Sequence, residues 1–128
     1  MYINLHSLVS YICGVSCGFI NINNYKIYID YDENEIYNNP SFLALPYIEA
    51  PVYRELKNGF LEKYLPRKSK FFRNLGADDF EDYFHMTIND NMLVDEWYQC
   101  EDEFKIKLLQ EWCEKNNLFY TLKNEFYT

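Results

Sequence analysis

Residues 95–115 read DEWYQCEDEFKIKLLQEWCEK, and their spacing decides the fold. Trp97, Phe104, Leu108 and Trp112 recur at intervals of seven, four and four. That period places them on one face of a helix running from about Asp95 to Lys115. Large rings enter cores before they do anything else, so this face is expected to pack against Leu56, Phe60 and Phe80. Asn116-Asn117 supplies a left-handed C-cap.

Upstream, Asp78 and Glu81 have the form of a capping box. They open a second helix with Phe80, Tyr83, Phe84 and Ile88 at helical spacing, and Asn89-Asp90-Asn91 ends it. A third helix begins at Pro51, where a missing N–H costs nothing. It carries Val52, Leu56, Phe60 and Tyr64 on one stripe to about Leu65, and Pro66 stops it. Pro40, Pro46 and Pro51 mark residues 39–51 as an extended connection. Near the start, Asn4 or Ser7 caps a short helix to about Ser16, ended by Gly14 and Gly18.

Between these helical segments the period changes to two. Tyr25, Ile27, Ile29 and Tyr31 alternate with Lys26, Tyr28 and Asp30, the pattern of a half-buried strand. Phe19 to Ile22 precedes it across an Asn23-Asn24 turn, and Glu35 to Asn38 follows. Residues 18–38 therefore read as a three-stranded antiparallel meander, and Phe119 to Leu122 as a further short strand. The architecture expected is α+β, with this meander packed on three to four helices in a single domain over 1–128. A chain of 128 residues is long enough to bury a core without staples.

Composition excludes several classes. A net charge of −8 opposes general nucleic-acid and anionic-membrane affinity, both of which need positive charge. Apolar residues make up 48% of the chain, too many for disorder, yet no run is long enough to span a membrane. The aromatic share of 20% reads as core bulk. Cys13, Cys17, Cys100 and Cys113 form no Cys-x-x-Cys pair, so no zinc site is expected, with or without His6 and His85. All four are expected as reduced thiols in a cytoplasmic protein. No Lys or Arg precedes Lys26, so a secretory leader is not indicated.

At Trp97-Tyr98, and again over Glu111-Trp112-Cys113-Glu114-Lys115-Asn116-Asn117, the chain resembles a bacterial family. It is the one numbered zero-one-five-eight in the uncharacterised-protein-family series. The resemblance aligns Tyr28-Ile29-Asp30 through Glu35-Ile36-Tyr37 with the family hairpin. Val52–Leu65 falls on its middle helix and Phe80–Ile88 on its Phe-rich helix. It implies an α+β fold in a bacterial cytosol and no assigned activity. Where members carry Gly-Ala-Phe-Arg-Arg-Phe-Lys, this chain has Gly76-Ala77-Asp78-Asp79-Phe80-Glu81-Asp82, with acids replacing bases.

No catalytic signature is present. Asp30-x-Asp32-x-Asn34 opens like a calcium loop, but Glu35 stands where glycine is needed and Ser41 where the bidentate glutamate is needed. No glycine precedes Lys-Ser or Lys-Thr, so there is no phosphate loop. His85, between Phe84 and Met86, reads as a core-edge residue. No cofactor or metal is expected.

Charge is the informative feature. Arg54, Lys57, Lys63, Arg67, Lys68, Lys70 and Arg73 form a basic stretch broken only by Glu55 and Glu62. Asp78, Asp79, Glu81, Asp82, Asp90, Asp95, Glu96, Glu101, Asp102 and Glu103 follow with no base among them. Such blocks pair with one another, face water, or face a charged partner. The reading adopted is an acidic, non-catalytic protein-binding module of inhibitor, immunity or antitoxin type that engages a basic protein. Asp78, Asp79, Glu81, Asp82, Asp95, Glu96, Asp102 and Glu103 are its candidate contacts. The alternatives are a nucleic-acid binder using residues 54–73, through Arg67, Lys68, Lys70 and Arg73 with Tyr64, Phe71 and Phe72 to stack bases, and an enzyme with an unrecognised site.

Overall fold

The computed structural model describes residues 2–15, 18–29 and 39–122. In chain order the elements are β1 (Ile3–Asn4), α1 (Leu5–Leu8), a 3₁₀ turn (Val9–Tyr11), β2 (Phe19–Asn21), β3 (Ile27–Tyr28) and β4 (Phe42–Ala44). Then come α2 (Ala50–Tyr64), α3 (Pro66–Arg73), α4 (Ala77–Asp90), α5 (Val94–Lys115) and β5 (Tyr120–Thr121). This is the α+β class, with five helices and a three-stranded antiparallel sheet among the described residues. The chain groups into two compact units, residues 1–48 with 104–128, and residues 49–103.

In the first unit β2 is central, flanked by β3 and β4. Phe19 pairs with Tyr28 on one side and Ala44 on the other, and Ile20, fully buried, pairs with Ile27 and Leu43. The third described strand therefore comes from the proline-rich connection, at Phe42–Ala44. It fits between Pro40 and Pro46, neither of which has to donate to the ladder. The strand expected at 35–38, like the Asp30–Asn34 turn, lies outside the described residues. Gly18 is required where it stands. A Cβ there would lie 2.9 Å from the Tyr28 carbonyl oxygen and 2.9 Å from Ile29 Cγ2. The Asn4 side chain accepts from the His6 backbone N–H and caps α1. The helical run ends at Tyr11, ahead of both glycines. β1 and β5 pair in parallel, Ile3 with Tyr120 and Asn4 with Thr121. Asn117, at φ 57°, is the left-handed cap of α5, and the Leu118 N–H returns 2.8 Å to the Cys113 carbonyl.

The second unit is built from α2, α3, α4 and the first part of α5 around one aromatic core. Trp97, 2% exposed, meets Phe84 edge-on at 5.0 Å and Phe60 edge-on at 5.4 Å. Phe72 meets Phe80 edge-on at 5.6 Å, and Leu61 and Ile88 complete the cluster. Edge-to-face contacts of this kind add to the stabilisation from area burial alone. Leu56, Phe60 and Phe80 thus pack with Trp97 as the pattern requires.

Four expectations are corrected here. Gly76, not Asp78, is the N-cap of α4, and no side chain caps it. Glu81 is drawn away by Lys57 instead. Pro66 ends α2 but also opens α3, since proline suits a first helical turn. On α2 the buried positions are Lys57, Asn58, Phe60 and Leu61, while Val52 and Tyr64 are exposed. On α5 the fully buried positions beyond Trp97 are Leu109 and Cys113, with Phe104, Leu108 and Trp112 only half-buried. Trp97 belongs to the unit of residues 49–103, and Leu109 and Cys113 to the other.

Candidate functional site

All the candidate contacts fall in residues 49–103, so that unit alone supplies the site. Three of its seven bases, Arg54, Lys57 and Arg73, are held by its own chain. Arg54 lies 4.4 Å from the Phe80 ring centroid and donates to the Leu75 carbonyl at 2.6 Å and the Phe72 carbonyl at 3.3 Å. It ties α2 to the end of α3. Lys57, 6% exposed, donates to both carboxylate oxygens of Glu81, at 2.7 and 2.6 Å. Its ammonium also lies 4.7 Å from the Tyr53 ring centroid and 5.4 Å from that of Phe84, where ring faces favour a cation. Arg73 pairs with Glu62 and, at 3.5 Å, with Glu55, both within the basic stretch.

The acids are arranged differently. Among them Glu81 is committed to Lys57, with His85 3.5 Å away. Asp78, Asp79, Asp82, Asp90, Asp95, Asp102 and Glu103 are exposed and form no ion pair among the described residues. Glu101 is half-buried, as its place beside the Trp97 stripe predicts. The acidic block is therefore not neutralised by the basic stretch. Glu81 leaves the set of candidate contacts because it holds the core lysine, and Arg73 leaves the nucleic-acid set because Glu62 and Glu55 hold it.

The residues also enclose a cleft of about 360 Å³ between α2 and α5. From α2 it takes Glu55, Leu56, Gly59, Phe60, Lys63 and Tyr64, and from α5 Glu96, Gln99, Cys100 and Glu103. The α5 residues follow the i, i+3, i+4, i+7 spacing of one helical face. Glu96 Oε2 is buried there without a hydrogen-bond partner. Burial pushes the Cys100 thiol up, Glu103 pushes it further, and Lys63 opposes them, so the thiol stays protonated and unreactive. Sequence reasoning placed Glu96 and Glu103 among the contacts but missed the cleft. The one hint was Gly59, a glycine in a helix interior, but what it faces is set by how α2 lies against α5.

Elsewhere, Cys13 is disulfide-bonded, correcting the expectation of four thiols, while Cys100 and Cys113 are free. Cys17 lies outside the described residues. Burial, reinforced by Glu114, lifts the Cys113 thiol to about 11. Among the described residues no group of three or more His, Cys, Asp or Glu is placed to hold a metal ion, and no helix is long and apolar enough to cross a membrane.

No family model matches the chain, and neither does any curated protein or solved structure. The functional reading rests on the geometry of residues 49–103.

Proposed function

We propose that the protein is a non-catalytic binding module whose acidic helices α4 and α5 engage a basic protein partner. The observation that carries this reading is the set of seven exposed carboxylates without ion pairs among the described residues. Like charges on neighbouring helical positions repel by a few tenths of a kcal/mol per pair, so the block costs stability that a docked cationic surface would return. Complementary charge also speeds encounter. The kinds of protein that work this way include inhibitors, immunity proteins and antitoxins. The resemblance to the zero-one-five-eight family remains part of the proposal for fold and origin.

The test is Asp82→Lys, Asp102→Lys and Glu103→Lys combined, probed with a fluorescent oligo-arginine peptide across a salt series. The three residues are exposed, so folding should be unchanged or improved. Peptide binding should weaken at least about tenfold, the effect of losing roughly 1.4 kcal/mol. Its salt dependence should flatten as well. Unchanged affinity would dispose of the reading.

One observation favours a second reading. On α3, Arg67, Lys68 and Lys70 are exposed without ion pairs among the described residues, and Phe71, 57% exposed, stands beside them. Bases interleaved with an exposed ring suit single-stranded nucleic acid. Binding of an oligonucleotide by the wild type, lost on Arg67→Glu with Lys68→Glu, would favour it over the acidic module.

A further inference from the structure

The cleft between α2 and α5 differs from the open acidic surface in three respects. First, it is concave, and its 360 Å³ falls at the small end of ligand pockets, too small for a large cofactor and suited to one long side chain. Second, its walls are aromatic and acidic together. Phe60 and Tyr64, tilted against each other with centroids 4.6 Å apart, lie on the α2 side. Glu55, Glu96 and Glu103 set three carboxylates against the single ammonium of Lys63. That ammonium lies 5.2 Å from the Tyr64 ring centroid. Third, Glu96 Oε2 is buried without a donor. A buried carboxylate oxygen left unmatched is costly, and the other carboxylates here show what it lacks. Glu103 accepts from Gln99 Nε2 at 3.2 Å, and Glu55 accepts from Asn58 Nδ2 at 3.4 Å and from Arg73 at 3.5 Å. Glu96 Oε2 therefore lacks a hydrogen-bond donor, and the excess of three carboxylates over one ammonium in the cleft favours a donor that carries positive charge.

Gly59 gives the cleft its depth. An added Cβ at that position would meet nothing within 4 Å, so neither a tight contact nor a left-handed backbone demands glycine there. Glycine inside a helix costs about 0.5–1 kcal/mol relative to alanine. Its effect is to keep the α2 wall bare opposite Glu96 and Glu103.

We infer that this cleft receives an arginine side chain of the basic protein partner, its guanidinium on Glu96 and its stem along Phe60 and Tyr64. The inference rests on the acidic-module reading and adds the position at which the partner is anchored. Arginine fits better than lysine because its planar fork meets a carboxylate with two parallel bonds and stacks on rings. Interface energy concentrates in such desolvated aromatic and arginine contacts rather than in exposed charge.

The probe is N-acetyl-arginine amide, with N-acetyl-citrulline amide as its neutral counterpart, titrated against the ¹⁵N-labelled protein. The amides of Gly59, Glu96 and Cys100 should shift with arginine, and citrulline should leave them in place. Glu96→Gln, nearly identical in shape, should weaken arginine binding at least about tenfold, as loss of a charge-assisted bond does. Gly59→Leu should fill the cleft and abolish the shifts with every charge unchanged. Thermal melts check that both variants fold, and Glu96→Gln carries the test if Gly59→Leu does not. Asp82→Lys with Asp102→Lys lies outside the cleft and reports on the broader reading. Oligo-arginine binding lost in that pair but intact in Glu96→Gln overturns the cleft alone, whereas binding untouched by all the variants overturns both. Equal shifts with citrulline, or shifts confined to Asp78, Asp79 and Asp82, also overturn the cleft.

Discussion

Truncation of Trp97 to alanine should destabilise the protein by about 3–5 kcal/mol, the range for removing a large ring from a core. The indole is 2% exposed and stands where Phe60, Phe84 and Tyr53 converge, at centroid distances of 5.4, 5.0 and 6.3 Å. Those rings belong to α2 and α4, while Trp97 lies on α5. Its loss opens a cavity that three helices would have to close together, and close-packed helices relax only in part. Trp112 is only half-buried, so Trp112→Ala should cost visibly less. Urea unfolding of the two variants, followed by far-ultraviolet circular dichroism, measures the difference. Equal losses, or a Trp97 loss below about 1 kcal/mol, the centre of the distribution for ordinary substitutions, would mean that the aromatic cluster is not the core.

The second large effect is expected at Glu81. Glu81→Ala strips the carboxylate from Lys57, leaving a buried ammonium with two ring faces as its nearest support. Breaking a fully buried pair costs about 3–5 kcal/mol. The Glu81 side chain is half exposed and water can reach the site, so about 2–3 kcal/mol is expected here. Lys57→Met keeps the stem's packing and removes the buried charge, and the Glu81 carboxylate left behind is half exposed, so water solvates it and no buried ion is stranded. That variant should stay within about 1 kcal/mol of wild type. Glu81→Ala added to Lys57→Met should then cost almost nothing more, a coupling that a double-mutant cycle reads directly. A harmless Glu81→Ala in the wild-type background would return Glu81 to the partner-facing acids.

This lysine shows where the sequence was legible and where it was not. Trp97, Phe60, Phe80 and Phe84 announced themselves by size and spacing, because large rings have few places to go but inward. The Asn117 cap and the helix break at Asn91 were equally readable, since local chemistry forces both. Lys57 was not. Its place in the core depends on Glu81, twenty-four positions downstream, and one-dimensional periodicity carries no information about a partner on another helix. The apparent Asp78–Glu81 capping box failed for the same reason, as tertiary demand for Glu81 outweighed a local bond. Phe42–Ala44 was hidden by prolines on both sides, which lower strand propensity without forbidding a three-residue strand between them. At the site, the sign of the charge was visible from the start. The cleft was not, because it requires the registration of α2 against α5.

The pairing of β1 with β5 sets an order of events during folding. Ile3 finds its partner at Tyr120, nearly the whole chain away, and the Ile3 amide bonds to the Phe119 carbonyl at 2.9 Å. Residues 49–103 are contiguous and mostly helical, so their contacts are local and form quickly. Closing a tether costs more entropy as it lengthens, by about 0.6 kcal/mol per doubling. Once the helical segment has condensed, the effective tether between the distant strands is much shorter. The parallel pair is thus the closing stitch, and in pulse-labelled hydrogen exchange the Ile3 amide should gain protection after those around Phe84 and Trp97. Protection of Ile3 in the earliest phase would reverse that order. A chain arranged this way completes its helical acidic segment before the discontinuous unit that flanks it is closed.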